Sequence, residues 1–166
     1  MEKTKPIKRN KNIIPLSKEH HAALLFCWKI RWGIHLNTDA ERIAKYVQWF
    51  WEHELRPHQE EEDKLLFTDQ GDALVRKASE DHYIIRKRAN EIISGEKRTN
   101  EAFLDLADFL EDHTRYEERI LFPHLEKKFS EEELQHIGSV LQDDARDRTA
   151  EEDYEDEFWR KQTRTS

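Results

Sequence analysis

An all-α fold is what this sequence predicts, arranged as an up-down-up-down antiparallel four-helix bundle with a short fifth helix at the C-terminal end. Three observations predict it. Of the 166 residues 39% are charged and 36% apolar, with only four Gly and four Pro, a composition of long helices with solvated outer faces. Apolar residues recur in steps of three and four along four long segments, and no strand pattern competes. The runs between the segments are short and rich in capping and turn residues, so successive helices are antiparallel neighbours.

The elements follow in order. Ser17 can cap a first helix that runs to about Leu36, and Asn37, Thr38 and Asp39 form a turn with a ready N-cap. A second helix runs from about Ala40 to Phe67 and ends at Gln70, Gly71 and Asp72. The third runs from about Asp72 to Ser94 and stops at Gly95. Asn100 can cap the fourth, which reaches about Lys128. Ser130, with Glu133 three residues on, has the form of a capping box and opens the shorter fifth helix to about Leu141. The chain thus divides into a basic N-terminal tail over 1–15, a helical domain over 16–141 and an acidic C-terminal tail over 142–166. The first tail carries Lys3, Lys5, Lys8, Arg9 and Lys11 and is expected to be a frayed polar end. The second includes the run Glu151, Glu152 and Asp153, expected to be solvated, while Phe158 and Trp159 are candidates for docking on the helices.

Charge and cysteine content bound the function. A net charge of −8 argues against a nucleic-acid partner. No apolar run approaches the roughly 20 residues of a membrane span, and no signal-peptide core follows the basic start. The single cysteine, Cys27, can form no intrachain disulfide, so a reducing, cytoplasmic location is expected.

Each long helix carries one core seam. The first reads Leu16, His20, Ala23, Cys27, Ile30, Ile34, and the second Trp51, Leu55, His58, Glu62, Leu65. The third reads Val75, Ala78, His82, Ile85, Ala89, Ile92, and the fourth Phe103, Leu106, Leu110, His113, Glu117, Ile120. The second and fourth also share an internal repeat: residues 58–67 and 113–122 both run His-x3-Glu, an acidic residue, any residue, two aliphatics and Phe. Two copies of one helix imply an approximate two-fold axis, with the two His-Glu pairs facing each other.

Every seam is therefore apolar except for His, or His with Glu, near one level. Buried carboxylates without partners are costly and repel one another, and a cation between them removes the problem. In a His-x3-Glu pair the two side chains lie one above the other on a single helical face. Imidazole nitrogen and carboxylate oxygen suit iron, manganese or zinc, and carboxylates can bridge two ions. Four His and two Glu exceed one tetrahedral zinc and suit two ions with open positions. The expected metal ligands are His20 and His58 on one ion, His82 and His113 on the other, and Glu62 and Glu117 as bridges. His20 is preferred to His21 because it shares its seam with small residues, whereas His21 leads to Leu24, Trp28 and Trp32.

These residues resemble the hemerythrin family, in particular its HHE cation-binding branch. The matching positions are Glu19-His20-His21, His58-x3-Glu62, His82 and His113-x3-Glu117, with the endings Leu65-Leu66-Phe67 and Ile120-Leu121-Phe122-Pro123, over residues 16–128. The resemblance implies a four-helix bundle around an oxo- or hydroxo-bridged pair of iron ions, and sensing or handling of iron, oxygen, nitric oxide or peroxide. Three departures stand out. Arg86 occupies the place of a second third-helix His in the oxygen carriers, and can pair with a bridging carboxylate or a bound anion. The fourth-helix carboxylate is Glu117, four residues after His113, where the carriers have Asp at five. Both place the chain with the HHE branch and away from reversible oxygen carriage. Pro57, directly before His58, predicts a bend at the site.

Other residues are expected to be less eventful: His53 and His35 at the surface, His124 as a core histidine, Cys27 as a buried structural thiol, and Glu61, Asp63 and Glu118 facing solvent or backing the ligands. Three functions remain open on the sequence: a non-enzymatic metal-binding protein for small diatomic ligands or peroxide, a di-iron peroxidase or oxidase drawing on Tyr46, Tyr83 or Tyr116, and an interaction module with a vestigial site.

Overall fold

The structure, a computed structural model, describes residues 8–144 and 154–160. The start of the basic tail and the run Glu151, Glu152 and Asp153 lie outside the described residues. The described elements are helical throughout: α1 (Ile14–His35), α2 (Ala40–Phe50), α3 (Arg56–Leu65), α4 (Ala73–Ile93), α5 (Asn100–Tyr116), α6 (Phe122–Lys128) and α7 (Glu131–Asp143). A π-helical turn, Trp51–Leu55, joins α2 to α3, and a second, Glu117–Leu121, joins α5 to α6. Two long rods result, and with α1 and α4 they contact one another in a closed order: α1 touches α2 and α3, α4 touches α2, α3 and α5, and α5 touches α1. No described helix is long and apolar enough to cross a membrane.

The two π turns have one cause. Proline has no N–H to donate, and its ring collides with the carbonyl four residues back. For Pro57 that carbonyl belongs to His53, and for Pro123 to Arg119, each in the middle of a π turn. Widening the turn to accept the proline keeps the helical run unbroken from α2 into α3 and from α5 into α6. Each π turn also adds a residue to the helical repeat and shifts the register beyond it. Ile120, expected on the core seam, is turned out and is 50% exposed, while Leu121 is fully buried in its place. In the first π turn Glu54 is buried alongside Trp51 and Leu55. At the end of α3, Leu66 and not Leu65 is the fully buried leucine.

The helix ends follow local chemistry. α1 begins before the expected cap, because Pro15 suits the first turn, and the Ser17 hydroxyl instead donates to Glu118 at 2.5 Å. Asp72 caps α4 through Leu74 N, Thr99 rather than Asn100 caps α5 through Ala102 N, and the Ser130–Glu133 capping box is formed at α7. Gly95 ends α4 with a φ of 89°, a conformation glycine adopts without strain.

The core falls into two apolar clusters. One contains Ala23, Phe26, Leu55, Ile85 and Leu110, the other Leu16, Leu66, Ala78, Leu121 and Phe122. His20, His58, His82 and His113 each lie in sequence between a residue of one cluster and a residue of the other. Apolar burial on both sides, roughly 1.5–3 kcal/mol for each large side chain, offsets the cost of the polar layer between.

Both ends of the described chain are pinned. Arg9 donates to the Glu118 carbonyl at 2.6 Å, pairs with Glu118 and Glu126 and covers the Phe122 ring, while Ile13 is fully buried. The N-terminal tail is therefore not frayed over 8–13. At the other end Phe158 and Trp159 pack against Tyr46, and Arg42 clamps Asp156 at 2.6 and 3.0 Å. Gly33 makes room for Phe158, since a Cβ there would lie 2.5 Å from its ring.

Candidate metal centre

All six expected ligands are buried and meet at one level. α1 supplies His20, α3 supplies His58 and Glu62, α4 supplies His82, α5 supplies His113, and the second π turn supplies Glu117. His21 is exposed, which agrees with the seam on which His20 was preferred. Two groups form, His20, His58, Glu62 and Glu117 on one side and Glu62, His82, His113 and Glu117 on the other. In each group one ligand atom per residue lies within 4.8 Å of every other. Ligands about 2.1 Å from a common ion lie within about 4.2 Å of one another, so both groups have close to the required size.

The two carboxylates belong to both groups, and Glu117 divides its two oxygens between them. Glu117 Oε2 is 3.4 Å from His20 Nε2, while its Oε1 is 3.5 Å from His82 Nε2 and contacts His113 Nε2. Glu62 Oε2 is 3.6 Å from His20 Nε2, and its Oε1 is 3.0 Å from His58 Nε2 and 3.3 Å from His82 Nε2. These atoms converge without aligned hydrogen bonds. Both oxygens of Glu62 and of Glu117, and Nε2 of His20, His82 and His113, are buried and lack a hydrogen-bond partner. Seven orphaned polar atoms around one point are costly unless a cation satisfies them.

The opposite face of every imidazole is fixed by a carboxylate on the neighbouring rod. His58 Nδ1 meets Glu19 at 3.0 Å, His82 Nδ1 meets Asp63 at 2.8 Å, His113 Nδ1 meets Asp81 at 3.0 Å, and His20 Nδ1 meets Glu118 at 2.7 Å. The four contacts close a ring from α1 to α3, α4 and α5, and through the π turn that follows α5 back to α1. An Nδ1–H held by a carboxylate leaves the Nε2 lone pair pointing at the centre, which is the tautomer a metal ligand needs. Asp63 and Glu118 were expected to back the ligands or face solvent, and they do back them. Glu19 and Asp81 were missed. Each directly precedes a ligand histidine in sequence, yet serves the histidine of the next rod.

Electrostatics of the metal-free site follow from this crowding. Burial pushes the His20 imidazole down, but the carboxylates of Glu117, Glu118 and Glu62 outweigh it and raise its pKa well above the ordinary value. His82 is raised in the same way, against burial, by Asp63, Glu117 and Glu62. Burial also opposes ionisation of His58, but Glu62 and Glu19 raise it to about 9. Glu62 and Glu117 stay below the ordinary carboxylate range in spite of burial, because the imidazoles facing them favour the charged form. Without an ion, protons on histidine take the place of the cation.

Other expectations resolve here. Arg86 pairs with no bridging carboxylate; it is exposed and lies over the Tyr83 ring at 5.9 Å, since its position on α4 faces outward. His124 is not a core histidine: it is half-buried and meets the α4 cap Asp72 at 2.6 Å, tying α6 to α4. Of the tyrosines, Tyr46 packs among Phe26, Phe50 and Trp159, Tyr83 is exposed, and the Tyr116 hydroxyl donates to Leu74 O at 2.7 Å. Cys27 is fully buried, its Sγ 3.2 Å from Ala107 O, and burial pushes its thiol up to about 12.

No family model matches the chain, and no curated protein or solved structure matches it either. Fold and site together define a class: an all-helical protein with two adjoining, buried His/Glu groups, each able to hold a metal ion.

Proposed function

We propose that the protein is a hemerythrin-like member of the HHE branch, an up-down-up-down four-helix bundle with α7 as the short fifth helix, built to hold two iron ions. His20 and His58 terminate one ion, His82 and His113 the other, and Glu62 and Glu117 bridge them. The observation that carries this reading is the division of Glu117, which turns one oxygen toward His20 and the other toward His82 and His113. Imidazole with carboxylate suits iron, and also manganese or zinc, whose occupancy depends on supply.

Iron bound there supplies a redox couple and open coordination positions for oxygen, nitric oxide or peroxide. The chain does the rest. Its carboxylate ring fixes each imidazole, its apolar clusters exclude water, and the oxygens of Glu62 and Glu117 neutralise the added charge. The role that fits is sensing, storing or handling of iron or of these small molecules, rather than turnover, since the three tyrosines lie outside the ligand groups.

Metal binding is linked to folding, so removing the ion from the folded protein lowers stability. A strong chelator is expected to lower the melting temperature of the iron-loaded protein and to leave a His58→Ala, His113→Ala variant unchanged. Equal melting temperatures with and without chelator in the unsubstituted protein would sink the reading.

A further inference from the structure

Residues 8–13 form a strap on the helices, held at three points. Ile13 is fully buried in the apolar cluster of Leu16, Phe122 and Leu125. Asn10 folds the strap by accepting from Asn12 N at 2.9 Å, and Gly138 of α7 makes room for it, since a Cβ there would collide with the Asn12 side chain. Arg9 is the third point and the one that reaches toward the ligand groups. Its side chain is 7% exposed, a cation held almost out of water by Glu118 and Glu126.

Glu118 joins the strap to a ligand. Its Oε2 meets Arg9 at 3.1 Å, while its Oε1 meets His20 Nδ1 at 2.7 Å and the Ser17 hydroxyl at 2.5 Å. Phe122 makes a second link, with Arg9 over its ring at 5.3 Å and His20 stacked on it at 5.2 Å. The Glu118 side chain is 30% exposed. Without Arg9 it has a way out to solvent, and an uncompensated carboxylate is driven there. The counterpart at the other ligand group differs. Lys77 pairs with Asp81, which holds His113, but Lys77 is 53% exposed, and an ion pair in water contributes little.

We propose that Arg9 is a positioning residue for His20, acting through Glu118, and that closure of the 8–13 strap and binding of the ion at His20 and His58 favour each other. The inference rests on the six residues holding metal as proposed above. An imidazole held by an ion gives Glu118 a fixed donor, and Glu118 in turn gives Arg9 its partner. Such coupling is reciprocal: whatever the closed strap adds to ion affinity, the ion adds to closure of the strap. Charge alone acts in the opposite sense, because removing a cation from the surroundings of an iron would tighten it. The sign of the effect therefore separates positioning from charge.

The test uses the full chain loaded with iron and counted beforehand. A strong chelator is added and iron release is followed by absorbance. Arg9→Ala is expected to release its first iron about fivefold faster or more, and Lys77→Ala to stay within about twofold of the unsubstituted protein. Release from Arg9→Ala at the unsubstituted rate or slower would overturn the proposal, as would equal acceleration in Lys77→Ala. Trypsin on the unsubstituted protein is the second arm, and it decides alone if Arg9→Ala fails to hold iron. Cuts at Lys8, Arg9 or Lys11, identified by mass, are expected ahead of any cut in the helices and about fivefold slower with iron bound than without. Equal cutting of the strap with and without iron would overturn the proposal. Absence of iron in the unsubstituted protein would overturn the metal reading itself.

Discussion

Glu19 receives the Nδ1 proton of His58 across 3.0 Å, although the histidine beside it in sequence is His20. The carboxylate thus orients a ligand on a different rod, and the packing of α1 on α3 becomes part of the site. Loss of such a partner commonly costs 10–100-fold in metal affinity. Glu19→Gln is expected to weaken iron binding by about 10–100-fold in a chelator competition. Asp81→Asn is expected to do the same through His113, its counterpart in the ring. An affinity unchanged in both variants would show that the ring does not orient the ligands.

The metal-free protein is expected to lose stability as pH rises. His58 binds its proton more tightly folded than unfolded, with its value raised from 6.5 to about 9. It therefore adds stability that is complete below about pH 6.5 and lost as pH climbs through about 9. His20, His82 and His113 shift in the same direction. Melting temperatures of the metal-free protein should fall steadily from pH 6.5 to 9.5, and iron affinity should rise over the same range as protons leave the ligands. A metal-free protein that melts at one temperature across that range contradicts the assignment.

Replacing a bridging carboxylate should remove the metal and show what its charge does without one. Glu62 is fully buried and helps to hold the His58 proton in the metal-free site. Glu62→Leu is expected to abolish paired metal binding and to destabilise the metal-free protein by about 3–5 kcal/mol in denaturant unfolding, because a buried charge loses its partner. A metal-free variant as stable as its parent would mean that the histidines facing Glu62 are neutral in the metal-free site.

Cys27 is expected to be inert to alkylation in the native state. Its thiol is fully buried and held up to about 12, so the reactive thiolate is scarce at neutral pH. Labelling with iodoacetamide should follow global unfolding, and rapid labelling of the folded protein would contradict the burial.

Much of this was legible in the sequence because it depends on spacing alone. Four seams with a polar residue at one level placed His20, His58, Glu62, His82, His113 and Glu117, and the structure brings these six together. The helix limits were readable wherever a side chain caps locally, as Asp72 and Ser130 do. What could not be read are effects that cross between rods or break the period. The π turns add a residue, so the seam extrapolated past Glu117 to Ile120 lands on solvent and Leu121 fills the core. Glu54 was passed over although Phe50 four residues before it and His58 four after it put it on a buried face at ordinary helical spacing. The carboxylate ring was half-visible: acidic neighbours of the ligands are plain in the sequence, but which histidine each one serves depends on rod-to-rod distance. Arg9 looked like a solvated tail residue because its partners, Glu118 and Glu126, lie more than 100 positions away.

The most direct test of the central claim is elemental analysis of the purified full chain produced with iron supplied, expressed as metal atoms per chain. The two ligand groups sharing Glu62 and Glu117 predict about two irons per chain. One zinc, or no metal at all, would contradict it.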